Sequence, residues 1–358
     1  MLKPLKVITW SIVGCFFGSC LVVVILLALS EDIRQRPGSF LRQFPPHPAL
    51  EENYIKLQSN SYYLAGCTDH YVYLGNYVHP AHLIQLSRDL KDTVHVTLHV
   101  KGIEKEKLWA VRVSVDSPYF YVTDGTIPAI YRGSTATWSA NRYTNDQAYF
   151  LDITPITFDS YVIRALGKPV KENTLGRLTN TPPYVDMKPG MLTKQVDGVF
   201  CTEGIMKYNR QQNLFLYVYR YRNEYIVLDT SLNIRSTNHT IDTTSRARIT
   251  ASASESTGKI ELSSPPRIVN QNVATYANHF LINSPVTARN EHPDALKEQA
   301  VIDVYALDTH KYQFSFYVYD FQEQHMQMFL MSQHYLYALF DSYLQTYKLQ
   351  DRYFFTMQ

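Results

Sequence analysis

The chain of 358 residues lacks the short motifs that announce an enzyme. It has no GxSxG nucleophile elbow, no GxxxxGK[ST] phosphate loop, and no GH…WD or kelch signature. It also lacks a charge excess. Lys and Arg number 34 against 32 Asp and Glu, giving a net charge of +2. With the cations scattered rather than striped, this excludes an electrostatic footprint for nucleic acid. Cysteine is scarce as well. Of four, two lie in a hydrophobic run, leaving Cys67 and Cys201. Two cysteines do not make a disulfide scaffold. They sit in similar contexts, Gly66-Cys67-Thr68-Asp69 and Phe200-Cys201-Thr202-Glu203, and free buried thiols, a disulfide, and a redox or metal role all stay open.

Charge is absent altogether from Val7 to Leu29, twenty-three residues directly behind Lys3 and Lys6. A helix of that length rises roughly 34 Å, enough to cross a bilayer core with some tilt. The run predicts a transmembrane signal anchor. Two alternatives are weaker. Ile12-Val13-Gly14-Cys15 looks like a lipobox, but fourteen more uncharged residues follow Cys15. A cleavable signal has a shorter apolar core, and Ala28-Leu29-Ser30 is a poor cleavage site. Lys and Arg on the two sides do not fix orientation. A short leading tail before a long trailing domain places the N-terminus inside and residues 30–358 outside the cytoplasm. Gly14 and Gly18 form a GxxxG pair, the kind of face through which two anchor helices dimerise.

Tyrosine is what the chain has in abundance, with 28 residues against 17 Phe and 3 Trp. Tyr favours strands, where the ring packs and the hydroxyl finds water or a partner. Residues 30–50 hold four prolines and read as an extended linker. From residue 51 an aromatic strand, a polar turn and a second aromatic strand recur, at 61–77, 117–133, 148–166, 197–234, 278–320 and 327–349. Units of roughly 40–50 residues predict an all-β, β-propeller-like domain of about six blades over 51–358, with a β-sandwich pair as the other solution. The expected organisation is a cytoplasmic tail (1–6), an anchor (7–29), a linker (30–50) and the propeller-like domain. Residues 302–318 and 334–349 read as blade hairpins. The segment 79–90 fits a helix or a strand, and 292–300 a short helix or a loop.

In Leu214–Tyr221, followed by a turn at Arg222-Asn223-Glu224, alternation puts Phe215, Tyr217, Tyr219 and Tyr221 on one face. Leu214, Leu216, Val218, Arg220 and Arg222 take the other. Such a ladder packs between sheets more often than it binds ligand. His95 and His99, with Thr97 between them, would share a strand face about 13 Å apart, too far to chelate one metal. His79 and His82, with Asp69 or His70, would need the fold to gather them. Asp116, Asp124, Asp152, Asp159, Asp197 and Glu203 sit near strand ends, where a propeller could build a paired-acid pocket. No catalytic residue, cofactor or metal is assigned on these grounds.

The stretch 197–234, with 240–252 and 263–284, resembles uncharacterised, Tyr-rich, signal-anchored proteins of Bacteroidota-type bacteria. The resemblance implies an envelope protein with a propeller-like domain and no assigned activity. It would sit in a bacterial inner membrane with its soluble domain in the periplasm. The expected function is a non-catalytic module that binds an envelope protein or peptide through loops at one face. An envelope hydrolase or lyase with a central pocket, and a thiol or redox component using Cys67 and Cys201, are the alternatives.

Overall fold

The computed structural model describes residues 5–34, 38–103, 108–143, 148–167, 171–253 and 260–355, without side chains at 5–9, 11, 27–34, 251–253, 260 and 261. Residues 1–4 of the expected tail lie outside the described residues.

Strand-forming runs of Val, Ile, Leu, Tyr and Phe, each closed by a polar turn, give antiparallel meanders. Among the described residues they form six four-stranded blades. Blade one holds β2 (Tyr62–Cys67), β3 (Tyr71–Asn76), β4 (His82–Ser87) and β5 (Thr93–Thr97). Blade two holds β7 (Arg112–Asp116), β8 (Tyr119–Asp124), β9 (Ala129–Ser134) and β10 (Ser139–Arg142), with β6 (His99–Val100) added in parallel to β10. Blade three holds β11 (Asp152–Thr157), β12 (Ser160–Leu166), β13 (Asn173–Thr179) and β14 (Val185–Lys188). Blade four holds β15 (Gly204–Asn209), β16 (Leu214–Tyr219), β17 (Glu224–Leu228) and β18 (Ile234–His239). A hairpin of β19 (Ala251–Ala253) and β20 (Ile260–Leu262) leads to blade five: β21 (Asn272–Tyr276), β22 (His279–Asn283), β23 (Gln299–Ala306) and β24 (Tyr312–Tyr319). Blade six joins β25 (Met328–Ser332), β26 (Tyr335–Leu339) and β27 (Tyr343–Leu349) to β1 (Ala49–Lys56), the first strand of the ring.

That last pairing closes the ring, because β1 and β27 cover the edge each would otherwise expose. Burial closes it too. Each pair of adjacent blades shares a core cluster, from blades one and two through to blades six and one. The alternation expected on β16 explains one of these joints. Phe215, Tyr217 and Tyr219 pack with Leu175 and Met206 between blades three and four. Leu216 and Val218 pack with Phe280 and Tyr305 between blades four and five.

The blade hairpins expected at 302–318 and 334–349 form as β23–β24 and β26–β27. Segment 79–90 resolves as strand β4, and 292–300 as a short 3-10 turn at Ala295–Lys297 running into β23. Two expectations need correction. The strand from Leu214 ends at Tyr219 rather than Tyr221, and in the bend that follows Arg222 is buried. The residues from 38 onward in the linker are extended as its prolines require, but docked. Gly38 N–H donates to Thr287 O and Arg289 N–H to Phe40 O, while Phe44 stacks on Tyr317 with ring centroids 4.5 Å apart.

Helix α1 covers Leu5–Arg34. Its described side chains, Trp10 and Ile12 to Leu26, are all exposed. Among the described residues no helix is long and apolar enough to cross a membrane. Gly14 and Gly18 face open space.

Candidate functional site

The first strand of each blade lies innermost, and β2 neighbours β7 and β25 while β15 neighbours β11 and β21. Where these six strands finish, a cavity of about 890 Å³ opens on the ring axis. Each blade contributes to its wall, through Cys67, Asp116, Pro155, Lys207, Tyr276 and Ser332 respectively. A volume of this size falls in the range of about 300–1,000 Å³ typical of ligand pockets.

Glycine sets one side of the wall. The β2–β3 register shifts between Leu64 and Gly66, and the bulge turns Cys67 into the cavity. A Cβ at Gly66 would collide with the Val115 carbonyl on β7, at a backbone φ of +155° that side chains rarely adopt. Gly66→Val is expected to cost roughly 3 kcal/mol or more, because both backbone strain and a backbone clash must be relieved. Chemical denaturation measures it, and a loss below about 1 kcal/mol would show that the seam yields.

The charges in the wall are unevenly matched. Asp116 pairs with the Arg210 guanidinium. Burial nonetheless raises the Asp116 pKa, with Arg210 only partly offsetting it. The ammonium of Lys207, on the innermost strand of blade four, has neither a hydrogen bond nor an ion pair among the described residues. Burial lowers its pKa, and the fields of Asp152 and then Cys67 oppose that effect. Burial also pushes the Cys67 thiol up to about 11. The Asp152 carboxyl is raised by burial too, against the Arg164 charge. Tyr71, Tyr73, Tyr208 and Tyr276 bring aromatic surface to the same wall.

Lys207 therefore gives a pH signature. Its folded pKa lies below its unfolded value, so between the two the unfolded chain holds the proton and the folded chain does not. Stability from this group rises with pH across that window, and the penalty is fully present below it. Lys207→Met should raise stability at pH 7 by up to about 1 kcal/mol, because the half-buried ammonium is partly desolvated without a protein partner. The gain should disappear as pH approaches the ordinary lysine value. Melting curves of both proteins at pH 7 and at about pH 10.5 test this, and a pH-independent difference would contradict it.

The other acids near strand ends are taken by local structure. Asp124 accepts from the Thr126 hydroxyl at 2.7 Å and the Ala110 N–H at 2.9 Å. Asp159 accepts from Tyr143 Oη at 2.6 Å, and Asp197 caps the Val199 N–H at 2.7 Å. Glu203 pairs with Arg220 at 3.1 Å. Of the six acids, only Asp116 lines the cavity, and Asp152 acts on Lys207 through its field.

The histidines do not gather as their sequence spacing suggested. His95 lies on β5 and His99 on β6, on different blades. His82 instead meets His95 across β4 and β5, with Nε2 and Nδ1 3.0 Å apart. Asp69 and His70 line the cavity, away from that pair. Among the described residues no three His, Cys, Asp or Glu side chains converge on a metal-sized point. Cys67 and Cys201 are separate free thiols. Cys201 is buried beside Tyr221, Ala247 and Ile249, and its Sγ donates to Asp197 O at 2.5 Å.

Lys207 is the residue that sequence reading passed over. Its one signal is a lysine inside an otherwise strand-like run, Gly204-Ile205-Met206-Lys207-Tyr208.

The fold and its axial cavity define the class: a six-bladed β-propeller with a binding-sized cavity at one end of its channel. No protein-family model matches this chain. No curated protein matches it either. Among solved structures it is similar to a member of the DUF4221 family from Bacteroides vulgatus, with a TM-score of 0.51 at 13% identity, over 88% of this chain and 99% of that one. It also aligns with a catalytically inactive virginiamycin B lyase from Staphylococcus aureus (TM-score 0.47, 11% identity, 83% and 99% covered). BamB from Moraxella catarrhalis aligns as well (TM-score 0.41, 9% identity, 84% and 98% covered). At these identities the likeness is one of fold, and only the first carries weight. It agrees with the fold described here.

Proposed function

We propose that this protein is a membrane-anchored, non-catalytic recognition module that binds a protein or peptide of a bacterial envelope at the axial cavity. The cavity itself carries the reading. All six blades build it, aromatic and hydroxyl side chains line it, and its wall holds a lysine whose ammonium has no hydrogen-bond or ion-pair partner among the described residues. Among the described residues no hydrogen bond joins a Ser, Cys or Lys of that wall to a histidine, as an activated nucleophile would need.

Anchoring through residues 7–29 draws support from the twenty-three uncharged residues and from the exposed apolar side chains of α1. The linker docks beside Val286 and Thr287, just past the end of β22. That end of β22 pairs with the beginning of β21, whereas the cavity lies where β21 finishes. With the anchor in an inner membrane and the ring in the periplasm, the cavity would open away from the tether. Gly14 and Gly18 supply a face for a homodimer through the anchor.

A photo-crosslinking residue at Tyr276 tests the reading in cells, with one at Ile234 on the outer strand β18 as control. Recurrent adducts at Tyr276 alone are expected, and equal labelling at both positions would overturn it. A hydrolase or lyase reading rests on the raised Asp152 carboxyl, but Asp116, one of the two acids in the cavity wall, is paired with Arg210. Direct thiol chemistry is opposed by the raised Cys67 pKa, which leaves little thiolate at neutral pH.

A further inference from the structure

We infer that the axial cavity is a carboxylate-binding site in which Lys207 holds the ligand's charge. The inference rests on the reading of this cavity as the recognition site, and names the group recognised there.

An ammonium group carries three donors and no acceptor. Lys207 stands on β15 deep in the ring, its accessible surface lining the cavity, and no acceptor among the described residues reaches it. A half-buried ammonium with no acceptor of its own among the described residues is a group whose charge a ligand entering the cavity can meet.

The rest of the wall selects the kind of anion. Arg210 is committed to Asp116, so no second free cation stands beside Lys207 in the described wall. Asp69 also lines the cavity, and a phosphate dianion would meet its field against a single free ammonium. A carboxylate carries one charge and two acceptor oxygens. Lys207 can neutralise that charge, and the Ser114 and Thr154 hydroxyls of the same wall are available as further donors. The four tyrosines of the wall then face the body of the ligand. An aromatic or aliphatic acid, or the C-terminus of a peptide, fits this arrangement.

Amine acylation of the full chain in detergent micelles tests the inference. Modification at Lys207 is read by peptide mass mapping, with exposed Lys91 as internal control. Sodium propionate at about ten times its Kd should slow labelling of Lys207 roughly tenfold and leave Lys91 unchanged. Propionamide should protect neither. An N-acetylated tripeptide with a free C-terminus should protect, and its C-terminal amide should not. Independently, propionate should raise the melting temperature of the wild type and not of Lys207→Met.

Absence of both the protection and the thermal shift, equal protection by propionamide, or stronger protection by phosphate would each overturn the carboxylate assignment. Protection by propionate but not by the free tripeptide would uphold the carboxylate site while removing the peptide reading of function.

Discussion

Replacing Arg42 with alanine should destabilise the ring by about 3–5 kcal/mol, the cost of stranding a buried charge partner. Arg42 is the pin of the docked linker. Its Nε donates to Asp303 Oδ1 at 2.7 Å and its Nη2 to Asp303 Oδ2 at 3.0 Å. Its Nη1 reaches Glu291 Oε2 at 2.5 Å and Val286 O at 2.8 Å. Burial works against the charged guanidinium, but Asp303 and Glu291 outweigh it and hold its pKa above the ordinary arginine value. The pair is fully enclosed, so alanine would leave two carboxylates without their cation.

The surroundings would also loosen. Phe40 rests against Val269, Val286 and Ala288, and Arg42 lies over its ring at 5.0 Å. Urea denaturation of Arg42→Ala measures the loss. A triple variant with Asp303→Asn and Glu291→Gln should recover part of it, because the stranded charges are gone. Chymotrypsin should cut after Phe40 faster in Arg42→Ala than in wild type. Unchanged stability together with unchanged cleavage would show that the linker is not held by this pair.

Local pattern, rather than long-range partnership, is what the sequence made legible. Tyr-rich strands with polar turns at blade-sized intervals carry their own signal, and they recur because each blade buries the same two faces. The hairpin of β26 and β27 could therefore be placed from residues 334–349 alone. The face assignment of Phe215, Tyr217 and Tyr219 against Leu216 and Val218 held for the same reason: period-two alternation is a local property.

The functional geometry is not local. Arg42 meets Asp303 across 261 residues, so a proline-rich linker looks identical whether it is docked or free. Lys207 becomes unusual only when six strand ends converge on one axis. Apart from Tyr208, Arg210 and Gln211, its neighbours in the cavity come from the other blades, beyond the window that a pattern reads. The acids near strand ends were visible as candidates. Which of them face the axis depended on local turns that absorbed Asp124, Asp159 and Asp197.

Arg222 shows the same gap, and its replacement is the second large effect expected. The sequence Arg222-Asn223-Glu224 reads as a polar turn and gives no sign that the Arg222 side chain in it is fully buried. Its guanidinium lies 3.5 Å from the centroid of the Tyr219 ring. It donates to Cys201 O at 3.1 Å, Thr193 O at 2.9 Å and Glu224 Oε1 at 2.9 Å. It therefore ties the segment preceding β15 to the end of β16, and β15 is the strand that carries Lys207. Arg222→Ala should cost about 3–5 kcal/mol by stranding Glu224 and two carbonyls and opening a cavity. Arg222→Lys should recover only a minor part. A lysine keeps the charge but has neither the planar face for Tyr219 nor the fork that spans Cys201 O and Thr193 O.

Cys201 reports this event directly. It is 1% exposed and held in the segment that Arg222 ties down. If about 3 kcal/mol of local stability is lost, the open population rises by roughly 100-fold, and alkylation of Cys201 should accelerate accordingly. Cys67, in the cavity wall on the far side of the ring order, should react at its wild-type rate. Equal acceleration at both thiols would mean global unfolding rather than release of this segment, and no acceleration at either would remove Arg222 from the role assigned to it.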